Sequence, residues 1–253
     1  MFTSAERERL RSELIEQARA DHRISGGAIT GSATSGHEDR WSDIDLAFGV
    51  REVSEIAGTL TDFSERMYRD HHALHHLDVA REAWIYRVFL LPSTLQVDLA
   101  FAPEAEFGAR APTFRLAFGT ATEKPPASPS PAEPLIGWAW LYALHARSSI
   151  ARGKPWQAEY MISGMRDQVL ALACRRHDLP SREGRGIDRL PHEVKVSLES
   201  ALVRSLDSGE LGRAFSAATA ALISEVHFAD QALAGRLEPI LRDLVETCWS
   251  EPR

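Results

Sequence analysis

The spacing of apolar positions changes character once along the chain. Up to about residue 122, stretches of helical spacing over 5–20 and 52–68 are interleaved with runs that alternate or stay apolar. Those runs predict strands over 26–30 and 43–50, then two or three more around 73–80, 83–91 and 94–101, the last pair joined through Pro92 and Ser93. From residue 135 onward the period is helical throughout, over 135–150, 155–177, 191–206, 210–226 and 229–249. Pro155 and Pro191 fall in the first turns of two of these segments, where a helix tolerates proline because its first N–H groups have no intrahelical acceptor. The first half therefore reads as α/β and the second as a bundle of five helices.

Between the halves, residues 123–134 hold five of the thirteen prolines. So dense a run favours an extended linker. The expected division is a first domain over 1–122, a linker over 123–134 and a helical bundle over 135–253, with no internal repeat.

Composition and charge narrow the partners. Lys and Arg number 29 against 36 Asp and Glu, a net charge of -7, and no basic run exceeds Arg175 and Arg176. A protein that tracks a phosphate backbone concentrates positive charge on one face, so nucleic acid is excluded as the expected partner and small or cationic substrates suit the chain better. No apolar stretch is long enough to span a membrane. The first residues lack the basic-then-apolar layout of a secretory signal, which sets the expectation of a cytoplasmic protein. Cys174 and Cys248 are too few for a disulfide framework or a zinc site and are expected as inert core thiols.

Three features of the first half converge on one chemistry. Gly31 and Ser32 end a strand and lead into Ala33, Thr34, Ser35 and Gly36, a small-residue turn that lets backbone N–H groups approach phosphates. Asp43 and Asp45 lie two apart on the next strand and so share a face, while Ile44, Leu46 and Phe48 take the other. Asp98 repeats the arrangement on a later strand, with Gln96 and Ala100 on its face and Val97, Leu99 and Phe101 opposite. If the two strands are neighbours, three carboxylates line one surface beside the turn. Their mutual repulsion calls for a hard divalent cation such as Mg²⁺.

Gly31 and Ser32, ten intervening residues, then Asp43-Ile44-Asp45-Leu46 and a distant strand carrying Asp98 resemble the DNA polymerase β-type nucleotidyltransferase superfamily. Within it, a short α/β palm with a mixed sheet followed by an all-helical bundle is similar to the aminoglycoside and lincosamide nucleotidyltransferases. The resemblance implies that Gly31 and Ser32, with Ser42 nearby, hold the phosphates of a nucleoside triphosphate, most readily ATP. It implies that Asp43 and Asp45 bind two Mg²⁺ ions and that Asp98 completes the site. The implied reaction is transfer of AMP, or another nucleoside monophosphate, to a hydroxyl of a small molecule such as an aminoglycoside-like antibiotic, releasing pyrophosphate. The segment from Gly36 to Trp41 departs from the family in being acidic, and Arg40 is the residue in it chosen to assist the phosphates. The resemblance also extends to a homodimer, although no segment marks an interface.

In the helical half, Glu159, Ser163 and Arg166 share one face of the 155–177 helix, and Met161, Met165, Val169 and Leu172 form an apolar stripe displaced from it. Related enzymes place an acidic residue of the helical domain at the cleft between domains, and by that resemblance Glu159 is the candidate to take the acceptor's proton. Arg152 and Lys154, just before the helix, are candidates to reach triphosphate oxygens, as is the loop carrying Arg185. Trp156 and Tyr160 are candidates to stack on a base or sugar. Histidines 71, 72, 75 and 76 are set aside as a metal site, because alternation through 73–79 splits them between faces. Two other readings stand beside the leading one: an antitoxin-type protein adenylyltransferase, and a nucleotide-binding module that has lost catalysis.

Overall fold

The computed structural model describes residues 1–34, 36, 38–109, 113–123, 125 and 131–249. The chain divides into two compact units, Met1–Ser128 and Pro129–Arg253. Residues 124 and 126–130 of the expected linker lie outside the described residues, and 132–134 already belong to a helix.

The first unit carries, in chain order, α1 (Ser4–Ala20), β1 (Ile24–Thr30), β2 (Ile44–Val50), α2 (Ile56–Asp70), β3 (His75–Arg81), β4 (Trp84–Leu90), β5 (Gln96–Pro103) and β6 (Phe114–Gly119). The strands form a mixed sheet in the order β3-β4-β5-β2-β1-β6. The pairing of β2 with β5 is parallel, and the other four pairings are antiparallel. The fold class is the one read from the sequence, with β6 added. Sequence reasoning passed over β6, although Phe114, Leu116 and Phe118 alternate along it.

One face of the sheet is strongly apolar because every second residue of its central strands is. Ile44, Leu46, Phe48 and Val50 of β2 and Val97, Leu99 and Phe101 of β5 are 0–1% exposed. Leu10, Leu14 and Ala18 of α1 and Ile56, Leu60, Phe63 and Met67 of α2 close over them. Phe48, Phe63 and Phe101 meet in a three-ring cluster with centroids 5.3–5.6 Å apart. The other face is built from small residues, Ala28, Ala47, Ala100 and Ala102, under Trp84 and Phe107. Gly49 belongs to that floor because a Cβ there would come within 2.8 Å of the Phe107 ring.

The second unit contains α3 (Ala132–Ala151), α4 (Pro155–Arg176), α5 (His192–Glu199), α6 (Ser208–Ala229) and α7 (Gln231–Glu246). Five helices among the described residues match the number read from the sequence. Ala139, Ala143 and Ala146 of α3, Ala158 of α4 and Ala214 and Ala218 of α6 are fully buried, and side chains this small at a helix contact let helix axes approach closely. The bidentate pair of Arg176 with the buried Glu225 (2.7 and 3.0 Å) ties α4 to α6. Cys174 and Cys248 are buried free thiols, and burial pushes both up from the ordinary thiol range.

Helix α5 is shorter than the expected 191–206. The carbonyls of Ser200 and Leu202 leave the helical path because the Arg213 guanidinium of α6 takes them at 2.5 and 2.8 Å. Glu210 accepts from the Arg204 N–H and from Arg213, and those donors pull its carboxyl down to about 2. No described helix is long and apolar enough to cross a membrane.

Phe101, fully buried, contacts both other rings of the three-ring cluster. Phe101→Ala is expected to destabilise the first unit by about 3–5 kcal/mol, the range for a buried phenylalanine truncated to alanine. Urea unfolding followed by circular dichroism checks this, and a wild-type midpoint would contradict the packing described.

Candidate active site

Parallel pairing in register sets Asp45 of β2 directly against Asp98 of β5, one step along from the Ile44–Val97 pair. Asp43 immediately precedes β2 and, two residues before Asp45, projects to the same side. Each of the three is half-buried, and one carboxylate oxygen from each lies within 4.8 Å of the others. They are the only such grouping of three or more His, Cys, Asp or Glu ligand atoms among the described residues. Of the histidines at 71, 72, 75 and 76, His75 is exposed, whereas His76 hydrogen-bonds the Tyr68 hydroxyl at 2.7 Å.

Gln96, one position ahead of Val97, donates its side-chain amide to Asp98 Oδ1 at 2.9 Å and to Asp43 Oδ2 at 3.4 Å. It is a site residue that sequence reasoning placed on the right face without giving it a role. Its amide offers a partial positive charge between two carboxylates but no formal charge. An all-oxygen set of three carboxylates fits a hard divalent cation of the Mg²⁺ or Mn²⁺ kind, which favours anionic oxygen over nitrogen or sulfur.

Gly31 begins a 3₁₀ turn, Gly31–Thr34, at the end of β1. Its φ of +67° suits glycine, and a Cβ there would overlap the Asp45 carboxylate. The turn therefore starts in contact with the acidic group, closed by the Thr34 hydroxyl donating to the Gly31 carbonyl at 2.8 Å. Ser32 lies within this turn, half-buried. Ser35 and His37 lie outside the described residues.

Ser42 stands next to Asp43 and closes a second turn. Its hydroxyl accepts from the Asp39 N–H at 2.9 Å and donates to the Asp39 carboxylate at 3.1 Å. Asp39 also accepts from the Trp41 N–H at 2.8 Å, and this backbone hydrogen bond, with those of Ser42, holds its carboxyl below the usual range. Arg40 is exposed and lies over the Trp41 ring, 4.1 Å from its centroid.

In the second unit, Glu159 is half-buried on α4, and its Oε1 accepts from the Ser163 hydroxyl one turn on at 2.6 Å. Arg166, on the same face, pairs loosely with Asp167 at 3.5 Å. Lys154 and Arg152 are exposed at the start of α4, and Arg185 pairs with Glu183 at 2.8 Å. Trp156 and Tyr160 are 75% and 65% exposed, so neither is a core aromatic.

No family model matches the chain, and no curated protein matches it. Among solved structures it is similar to the crystal structure of an aminoglycoside 6-adenyltransferase from Bacillus subtilis, at 14% identity and a TM-score of 0.43, over 96% of this chain and 99% of that one.

Replacing Asp45 with asparagine removes an anionic ligand oxygen from the group, and Asp45→Asn is expected to bind Mn²⁺ at least about tenfold more weakly than the wild type. Calorimetric titration checks this, and wild-type Mn²⁺ affinity in the variant would remove Asp45 from the site.

Proposed function

We propose that the chain is a divalent-metal-dependent nucleotidyltransferase that moves a nucleoside monophosphate from a triphosphate, ATP in the first instance, to a hydroxyl of a small acceptor. The observation that carries this reading is the joint placement of Asp43, Asp45 and Asp98 within 4.8 Å of one another beside a turn whose Gly31 would clash with Asp45 if it bore a side chain. A phosphate-accepting turn in contact with a metal-binding group is what transfer between phosphate and hydroxyl oxygens requires.

Asp43, Asp45 and Asp98 would hold the metal, two ions in the full reading. When bound, such ions draw triphosphate and hydroxyl oxygens together and offset the charge that builds up as the phosphorus changes partners. The Gly31–Thr34 turn offers backbone N–H groups to the β- and γ-phosphates, with Arg40 and Lys154 as cationic candidates. In the transfer, the acceptor oxygen bonds to the α-phosphorus as the bond to the bridging oxygen breaks, and pyrophosphate leaves. The acceptor's proton passes to a carboxylate. Glu159 is proposed for that role, its rotamer restrained by Ser163. Among hydroxylated acceptors, a polycationic aminoglycoside suits a chain of net charge -7.

Incubation of the purified chain with ATP, Mg²⁺ and a pool of aminoglycosides, lincosamides and other hydroxylated molecules is expected to give an acceptor mass increased by AMP. Asp43→Asn should slow this by about 100-fold or more, the effect of losing a metal ligand that stabilises the transition state by several kcal/mol. Mg²⁺-dependent ATP binding with no adduct anywhere in the pool would point to a protein acceptor or a silent module. Unchanged turnover in Asp43→Asn would refute the metal assignment.

A further inference from the structure

Helix α1 carries two arginines one turn apart, Arg7 and Arg11, whose side chains are only 5% and 4% exposed. Like charges at that spacing weaken a helix, and burying either guanidinium alone is costly, so both must be compensated by something packed against them. That partner is Glu38, from the loop between the Gly31–Thr34 turn and Asp43. Glu38 ion-pairs with Arg7 Nε at 3.3 Å, and its Oε1 bonds Arg11 Nη2 while its Oε2 accepts from Arg11 Nη1 at 3.2 Å. Glu8, itself largely exposed, takes Arg11 Nη1 from the helix side at 2.7 Å.

Arg7 then reaches past Glu38 to the backbone. Its Nη1 donates to the Asp39 carbonyl at 2.5 Å and to the Ser42 carbonyl at 3.0 Å. The Ser42 carbonyl lies in the same rigid peptide plane as the nitrogen and Cα of Asp43. A guanidinium that fixes this oxygen therefore fixes where the Asp43 side chain starts. The two carbonyls it grips are the ends of the turn that Asp39 and Ser42 close with their own side chains. Both arginines are too buried to meet a substrate phosphate, so their effect passes through the loop.

We propose that Arg7 and Arg11, joined through Glu38, are positioning residues that set Asp43 in the metal-binding group by clamping the loop before it. The proposal rests on the reading of that group as a metal site. It accounts for the acidity of the loop, since Glu38 is there to neutralise two buried cations. It also accounts for the choice of arginine, because a lysine ammonium does not span two carbonyls and a carboxylate with one planar fork.

Two measurements on Arg7→Lys and Glu38→Gln test it, with far-UV circular dichroism to verify folding. The first is limited trypsin digestion read by mass spectrometry, where Arg40 is the exposed reporter inside the clamped loop. Cleavage after Arg40 is expected to accelerate about tenfold in both variants, with other sites unchanged, because local opening governs cleavage. The second is Mn²⁺ titration without substrate, followed by electron paramagnetic resonance. Affinity is expected to fall about tenfold, the usual effect of losing a residue that orients a ligand. In an Asp43→Asn background the same substitutions should change it less than about twofold, since the residue they act through is no longer a full ligand.

Wild-type cleavage at Arg40 and wild-type Mn²⁺ affinity in folded variants would overturn the clamp and leave the metal site standing. Failure of the wild-type chain to bind Mn²⁺ would overturn the metal reading instead, and with it the role assigned to the clamp. Should Arg7→Lys not fold, Glu38→Gln, which alters a partly exposed side chain and keeps both arginines, decides between these outcomes.

Discussion

The parallel pairing of β2 with β5 is the contact on which the rest of the first unit depends. It places Ile44 against Val97, Leu46 against Leu99 and Phe48 against Phe101, and those pairs are the floor on which α1 and α2 rest. Because side chains alternate along a strand, the same register sets Asp45 against Asp98 on the opposite face. A slip by one residue would bury carboxylates under the helices and turn phenylalanines toward solvent. The apolar face thus fixes the acidic one: burial that tolerates no shift holds carboxylates together that would otherwise repel.

Around the acidic group, the remaining elements meet constraints of contact and charge. Gly31 lies against Asp45 because nothing larger than hydrogen fits there. Gln96 spans Asp43 and Asp98 with an amide, which softens their repulsion without occupying the group as an ammonium or guanidinium would. The loop that delivers Asp43 is held from behind by cations buried in α1, which grip its backbone at the Asp39 and Ser42 carbonyls. Preorganisation of this kind is what lets a few fixed groups act on a developing charge without first rearranging.

Much of this was legible in the sequence, for reasons that differ by element. The alternation in 43–50 and 94–101 identified the shared face of Asp43, Asp45 and Asp98 because period two is a property of the strand itself. That the two strands are neighbours was only a condition, since pairing joins residues some fifty positions apart and leaves no local trace. The helices of the second unit followed from their period, except where α5 ends early, because Arg213 and Glu210 capture the following backbone from a different helix. β6 had a usable signal in its alternating Phe114, Leu116 and Phe118. Arg7, Arg11 and Glu38 had none: a helical arginine and a loop glutamate read as ordinary surface charges until the fold buries two of them against the third. The roles of Glu159, Lys154, Arg40 and Ser42 belong to the proposal.

The most direct test of the central claim is a crystal of the chain soaked in MnCl₂ and measured at a wavelength where manganese scatters anomalously. The account predicts an anomalous peak coordinated by Asp43, Asp45 and Asp98 together, with Gly31 of the adjoining turn at its edge. Saturating Mn²⁺ with no peak at these three carboxylates, or with ions bound only elsewhere on the acidic surface, would contradict it.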